Sequence, residues 1–204
     1  MSTFVALLRG INVGGHAPIP MAELRDSLAG LGFANVRTYL QSGNAVFEAD
    51  PGSRQDHAAA IEVRIERDLG PRLGVLVLTA DDVARVAAAN PFAGDPHVDE
   101  KWLHVTFLFG GSGDGDFGEA SEAAYSATYE TAFAKLTLPA QEGERAAFVG
   151  TPPLATPVVY LCLPHGYGRT KLGNAYFERS LGAAATTRNW RTVRALAELA
   201  AGGE

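Results

Sequence analysis

Apolar positions in the first eighty residues follow strand and helix periods in alternation. A period of two predicts a strand with one buried face, and recurrence every three or four residues predicts an amphipathic helix. The predicted elements are a strand at Phe4–Leu8, a helix over 21–31, a hairpin of 36–41 and 45–48 around Gly43-Asn44, a helix that Ser53 and Asp56 cap and Leu69 ends, and a strand at Val75–Leu78. This order is the βαββαβ arrangement of ferredoxin-like units.

The second half of the chain shows a looser version of the same pattern. A linking helix follows Thr79, and a run of Gly, Asp and Pro at 94–96 suggests a boundary. Beyond it we predict strands at 102–109, 130–138, 146–149, 158–163 and 185–187, helices at 117–125, 171–181 and 190–200, and a Gly/Asp loop at 110–118. The predicted fold class is α+β: two ferredoxin-like-type βαββαβ lobes, 1–96 and 97–204, with extra helices and mainly antiparallel sheets.

Composition favours a cytoplasmic protein. The chain has 204 residues, of which 47% are hydrophobic, and it contains one cysteine, so no internal disulfide can form. No apolar run has the length of a membrane span, and we expect no membrane association. The five histidines lack metal-ligand spacing and Cys162 lies in an apolar strand pattern, so we predict no metal site and no cofactor.

Charge is distributed unevenly along the chain. Residues 81–144 contain twelve acidic and three basic residues, a local net charge of −9, whereas residues 165–194 contain six basic residues and one acidic residue, a local +5. Either the two segments pair with each other or the basic segment meets an anion. The formal net charge of −6 argues against binding of duplex nucleic acid, which requires many phosphate contacts.

Two glycine-containing loops carry candidate ligand-binding residues. The first, Leu7–Gly15, follows a strand and contains Arg9 and Asn12, but its glycine spacing fits neither the dinucleotide nor the triphosphate signature. The second, His165–Lys171, places Arg169 and Lys171 before a predicted helix, where cations can face a phosphate or a carboxylate. Structural roles for both loops remain the alternative.

The segment Thr186–Trp190 precedes the last predicted helix. Thr187 or Asn189 is a natural N-cap, which explains most of this segment by helix initiation. Arg188 is different, because the helix dipole opposes a cation near a helix N-terminus. We therefore expect Arg188 to contact an acidic side chain or an anionic ligand.

Several motifs resemble a bacterial family, domain of unknown function 1697, and the resemblance spans nearly the whole chain. They are LLRGINVGG at Leu7–Gly15, Pro20-Met21, Thr38-Tyr39 with Ser42-Gly43-Asn44, Asn90-Pro91-Phe92, Lys171-Leu172, and Thr186–Trp190 with Thr192-Val193. The resemblance implies a two-lobed α+β protein with no assigned activity, and it supplies no catalytic residues.

Two functional hypotheses follow. In the first, the chain binds, with or without turnover, a small anionic or phosphorylated ligand between the lobes. Its candidate binding residues are Arg9, Asn12, Lys171, Arg188 and Asn189. In the second, the chain is an RNA- or protein-binding module that uses an open sheet face, with aromatic side chains at Tyr39, Phe47, Trp102 and Phe107.

Overall fold

The computed structural model describes residues 1–12, 19–111, 122–150, 154 and 156–203. Strands and helices are interspersed along the chain, and in two places two strands follow each other directly. The strands are β1 (Ser2–Leu8), β2 (Ala34–Thr38), β3 (Asn44–Ala49), β4 (Val75–Thr79), β5 (Leu103–Gly111), β6 (Arg145–Val149), β7 (Val158–Cys162) and β8 (Ala183–Asn189). The α-helices are α1 (Met21–Ala29), α2 (Arg54–Leu69), α3 (Ala80–Ala88), α4 (Glu122–Ala134), α5 (Asn174–Leu181) and α6 (Trp190–Ala200).

The chain forms two compact units, residues 1–84 with 195–204 and residues 85–194. Each unit contains one four-stranded antiparallel sheet, ordered β2-β3-β1-β4 in the first and β6-β7-β5-β8 in the second. The first, second, third and fourth strands of each unit therefore take the same positions in their sheets. Both units also follow the same βαββαβ order along the chain. The predicted α+β class with antiparallel sheets is confirmed.

The core of the first unit lies between one sheet face and the helices α1 and α2. Alternate β1 residues Phe4, Ala6 and Leu8 are buried against apolar side chains of both helices. Local capping sets the limits of α2: the Ser53 hydroxyl accepts a hydrogen bond from the Asp56 backbone N–H at 2.9 Å, as the sequence predicts. At its other end Gly70 adopts a φ of +91°, which side chains disfavour.

The core of the second unit corrects one sequence prediction. The strand predicted over 130–138 is wrong, because α4 continues to Ala134. Its alternating composition resembles a strand, but Tyr129, Ala132, Phe133 and Leu136 reach the core with the three-to-four-residue spacing of a helix. The hairpin of this unit is formed by β6 and β7 instead. Most of the predicted 110–118 loop, and the start of the helix predicted at 117, lie outside the described residues.

The compact units differ from the predicted lobes at two places. Residues 85–96 belong to the second unit, since the Tyr160 hydroxyl donates to the Val86 carbonyl at 2.8 Å and Arg145 pairs with Asp95 at 3.5 Å. The C-terminal segment belongs to the first unit, where the Arg37 guanidinium donates to the Leu199 carbonyl at 2.7 Å and the Gly203 carbonyl at 3.0 Å. A folding boundary near residue 96 stays a prediction.

Arg37 should contribute measurably to stability, because it satisfies carbonyl groups at the C-terminal end of α6. A cation there also complements the helix dipole. We expect Arg37→Ala to lower the free energy of unfolding by about 1–2 kcal/mol in urea denaturation. The matched control is Arg25→Ala, which removes one exposed hydrogen bond of 3.2 Å to the Thr38 hydroxyl. Equal losses in the two variants would contradict a specific role for Arg37.

Candidate functional site

The candidate site lies at one end of the sheet in the second unit. Antiparallel pairing aligns Leu103 with Cys162 and His104 with Asn189. The beginning of β5, the end of β8 and the loop that follows β7 therefore meet at the same sheet end. This pairing brings together residues that are far apart in the sequence.

The loop after β7 carries Lys171 to this end of the sheet. Gly166 has a φ of +85° and precedes a short 3-10 turn at Tyr167–Arg169. The Gln141 side-chain amide holds the turn by donating to the Arg169 carbonyl at 2.7 Å. The exposed Lys171 lies in this loop and not in the helix, because α5 begins at Asn174 and the residue before it, Gly173, supplies no side-chain cap.

Tyr167 contacts both His104 and Asn174 at this end of the sheet. Its ring stacks on the His104 imidazole with 5.3 Å between ring centroids. Its hydroxyl accepts a hydrogen bond of 3.3 Å from the Asn174 backbone N–H, at the start of α5. Sequence reasoning missed Tyr167, His104 and Asn174 as members of one site.

A chain of side-chain hydrogen bonds fixes the orientation of Asn174. Thr187 donates from its hydroxyl to the Asn174 Oδ1 atom at 2.6 Å, and the Thr106 and Thr187 hydroxyl oxygens are 2.8 Å apart. Because the Thr187 proton is directed at Asn174, Thr106 must be the donor in the second bond. The Asn174 oxygen is thereby occupied, and its Nδ2 protons remain for another acceptor.

Arg188 is a buried cation on the opposite face of β8 from Thr187 and Asn174. It is 6% exposed, and its Nη1 atom donates to the Thr186 hydroxyl at 2.6 Å and to the Thr187 carbonyl at 3.0 Å. Burial lowers the Arg188 pKa to about 10, and the nearby Tyr167 opposes this change. With that pKa Arg188 stays protonated at neutral pH. Burial and the Thr186 contact hold its charge in place.

Asn189 serves as the N-cap of α6. Its Oδ1 atom accepts a hydrogen bond from the Thr192 backbone N–H at 2.8 Å. Of the two caps that the sequence allowed, Asn189 is therefore the one used, and the capping function accounts for its oxygen.

Arg9 and Asn12 belong to the first unit. Arg9 is exposed, and its backbone N–H donates to the Gly74 carbonyl at 2.9 Å. The Asn12 side chain accepts from the Ile19 N–H at 2.9 Å and donates to the carbonyls of Ile19 and Gln41 at 3.1 and 2.8 Å. Asn12 thus ties three loop segments together. Residues 13–15 of its motif lie outside the described residues.

Comparison with known proteins identifies a family. The family model described as a protein of unknown function, DUF1697, matches residues 1–145. The chain belongs to the DUF1697 family. The matched segment contains Arg9 and Asn12, whereas Lys171, Arg188 and Asn189 follow it in the sequence. No curated protein matches the chain.

The DUF1697 chain also resembles a solved structure, the conserved bacterial protein SP0830 from Streptococcus pneumoniae. The TM-score is 0.68 at 20% sequence identity, and the match covers 98% of this chain and 99% of the other. At this identity the likeness establishes a shared fold and nothing about ligands.

The two units of this DUF1697 protein differ at the start of their second helix, which is α2 in the first unit and α5 in the second. In the first unit, Ser53 caps α2, and Arg54 forms an ion pair with Asp82 at 3.1 Å. Asp82 and Thr79 also exchange hydrogen bonds at the junction of β4 and α3. In the second unit, the corresponding helix α5 begins at Asn174, and Gly173 before it supplies no side-chain cap. Within the described residues, the start of α5 therefore carries an asparagine where α2 carries an arginine paired with a carboxylate.

Neither a metal-binding cluster nor a membrane-spanning helix occurs in the described part of the chain. In that part of the chain no group of three His, Cys, Asp or Glu side chains is arranged to hold a metal ion. Within the same residues, no helix combines the length and apolar character needed to cross a membrane. Cys162 is buried.

Two of the four aromatic residues proposed for an open sheet face are inaccessible to a base, whereas Tyr39 and Trp102 are half-buried. Phe47 is 0% exposed and Phe107 is 1% exposed. A base cannot stack on a ring that is already covered, so these two residues do not support the RNA-binding hypothesis.

Proposed function

We propose that the chain binds a small anionic or phosphorylated ligand, with recognition by the second unit. The observation that carries the proposal is the convergence of hydrogen-bond donors at one sheet end, around Tyr167 and the start of α5. The Asn174 amide and the Tyr167 hydroxyl lie there, Lys171 is in the adjoining loop, and the buried Arg188 lies on the opposite face of β8 and adds positive charge to the region. Oxyanions are bound in proteins by such sets of donors.

Preorganisation supports this assignment. Asn174 is held by Thr187, so its side chain need not be ordered when a ligand arrives. Ordering a side chain costs about 0.5–1.5 kcal/mol of binding free energy, which this arrangement avoids. The internal comparison agrees, because the first unit places the Arg54–Asp82 ion pair at the corresponding helix start.

The other predicted residues enter the proposal with different weight. Lys171 is the exposed cation of the loop and is suited to a phosphate or carboxylate. Asn189 already uses its oxygen in the cap of α6 and could offer a ligand only its amide protons. Asn12 already uses its oxygen and both amide protons in local hydrogen bonds. Arg9 stays a predicted contributor from the first unit.

Thermal stabilisation tests the proposal. We expect inorganic phosphate or a phosphorylated metabolite to raise the melting temperature, with about 2.7 kcal/mol of stabilisation at a hundredfold excess over Kd. Lys171→Ala should weaken the affinity about tenfold, because a hydrogen bond to a charged group is lost. The matched control is Lys135→Ala, which removes another exposed lysine of the same unit.

The outcomes separate the functional hypotheses. Stabilisation by short RNAs and not by small anions would favour the RNA-binding alternative. Equal weakening in the Lys171 and Lys135 variants would exclude a specific role for the loop. Arg188→Ala is a less informative test, since removing a buried side chain leaves a cavity and takes a donor from Thr186.

A further inference from the structure

His104 adds a hydrogen-bond acceptor to a cluster of donors. Its Nδ1 atom is 3.1 Å from the Trp102 carbonyl oxygen, and a carbonyl can only accept, so Nδ1 carries a proton. Burial lowers the His104 pKa, which favours the neutral imidazole at pH 7. The Nε2 atom of that neutral ring holds a lone pair and accepts hydrogen bonds.

The position of His104 places this acceptor beside the donors. The ring stacks on Tyr167 at an interplanar angle of 25°, and the Tyr167 hydroxyl contacts the Asn174 N–H. Asn189 is the direct cross-strand neighbour of His104 on β8. A ligand that meets Asn174 and Tyr167 therefore lies next to an imidazole that can accept a proton.

Resting on the proposed function, we propose that this site selects an oxyanion that keeps a hydroxyl proton, as hydrogenphosphate does, and discriminates against sulfate. His104 is the specificity-determining residue. At neutral pH sulfate presents only acceptor oxygens, whereas both inorganic phosphate species retain at least one P–OH group. That group can donate to His104 Nε2 while the remaining oxygens accept from the Asn174 amide and the Tyr167 hydroxyl.

The same reasoning predicts the size of the preference. A site built to hydrogen-bond a hydroxyl strongly rejects an analogue that lacks it, because the polar partner is left unpaired. His104 is only half-buried, so solvent can satisfy part of its capacity when sulfate binds. We expect a phosphate preference of about tenfold.

The experiment compares sodium phosphate and sodium sulfate at pH 7 and equal ionic strength, by calorimetric titration of the full chain. The wild-type protein should bind phosphate about tenfold more tightly. His104→Phe keeps an aromatic ring against Tyr167 and removes the acceptor, so the ratio should approach one, mainly through weaker phosphate binding. His97→Phe, at an exposed histidine of the same unit, should keep the wild-type ratio.

Nitrogen NMR of the histidine-labelled wild-type protein provides a readout that needs no variant. Phosphate should move the His104 Nε2 resonance more than the Nδ1 resonance, and sulfate should move neither strongly. Equal wild-type affinity for the two anions, an unchanged Nε2 resonance, or an unchanged ratio in His104→Phe would overturn the role of His104 while leaving anion binding intact. Absence of binding by either anion would overturn the proposed function itself.

Discussion

Replacing Gly43 by alanine is expected to lower the free energy of unfolding by about 3 kcal/mol, through backbone strain and overpacking together. Gly43 has a φ of +75°, a conformation that costs side-chain-bearing residues about 1–2 kcal/mol. A Cβ atom there would lie 2.8 Å from Ile11 Cγ1 and 2.9 Å from Leu8 Cβ. The backbone cannot easily retreat, because the Gly43 carbonyl accepts the Leu8 N–H at 2.8 Å.

Gly10 provides the matched control for this prediction. Its φ is +73°, almost the same as that of Gly43, but a Cβ atom at Gly10 would have no neighbour within 4 Å. Gly10→Ala should therefore show the strain alone, about 1–2 kcal/mol. Denaturant unfolding of both variants measures the difference, and equal losses would show that the contact with Ile11 and Leu8 is not the cause.

The Gly43 example shows which part of the fold is local. The sequence predicts the turn at Gly43-Asn44, which the Ser42 hydroxyl precedes. In the structure that hydroxyl accepts from the Asn44 side chain at 2.9 Å. The approach of Gly43 to Ile11 was not predictable, because it depends on how β1 and β3 pair.

The hydrophobic pattern predicted the most deeply buried strands well. Phe4–Leu8 and the 158–163 run were found as strands because they are short, continuous apolar runs, and both are buried at every position. The 130–138 segment failed for a related reason. Its alternating small and large residues fit a strand period, whereas Tyr129, Phe133 and Leu136 pack as a helical face.

The candidate site could be predicted only in its local part. The sequence alone offers Asn189 as a helix cap. It also singles out Arg188, because a cation just before a helix N-terminus is opposed by the helix dipole. His104, Tyr167 and Asn174 were missed because strand register brings them together. The Thr106 and Thr187 hydroxyls, for example, are separated by 81 residues in the chain. No sequence period reports such a contact.

The two units share a further feature that supports their architectural repetition. In the first, the Glu62 carboxylate on α2 accepts from the Val75 N–H of β4 at 2.7 Å. In the second, the Glu178 carboxylate on α5 accepts from the Ala185 N–H of β8 at 3.0 Å. Both strands are sheet edges, where an unpaired N–H invites pairing with another chain. The same solution appears twice, although the sequences of the two halves show no repeat.

Substitution of Phe47 tests whether this aromatic residue belongs to the packed core or to an RNA-binding face. Its ring stacks on Phe33 at 4.4 Å and on Phe4 at 5.7 Å between centroids, and it is fully buried. Phe47→Ala should lower the free energy of unfolding by about 3–5 kcal/mol, because the lost burial is compounded by a cavity. Tyr39→Ala, at a half-buried aromatic from the same predicted set, should cost about 1 kcal/mol.

Unfolding and RNA binding should be measured on both variants. A base-stacking Phe47 would be exposed, and its loss would reduce RNA affinity while leaving stability nearly unchanged. A core Phe47 gives the opposite result: a large loss of stability, with any binding change following the folded fraction. If Phe47→Ala melts like the wild-type protein, Phe47 is not a core residue, and the RNA-binding hypothesis is favoured.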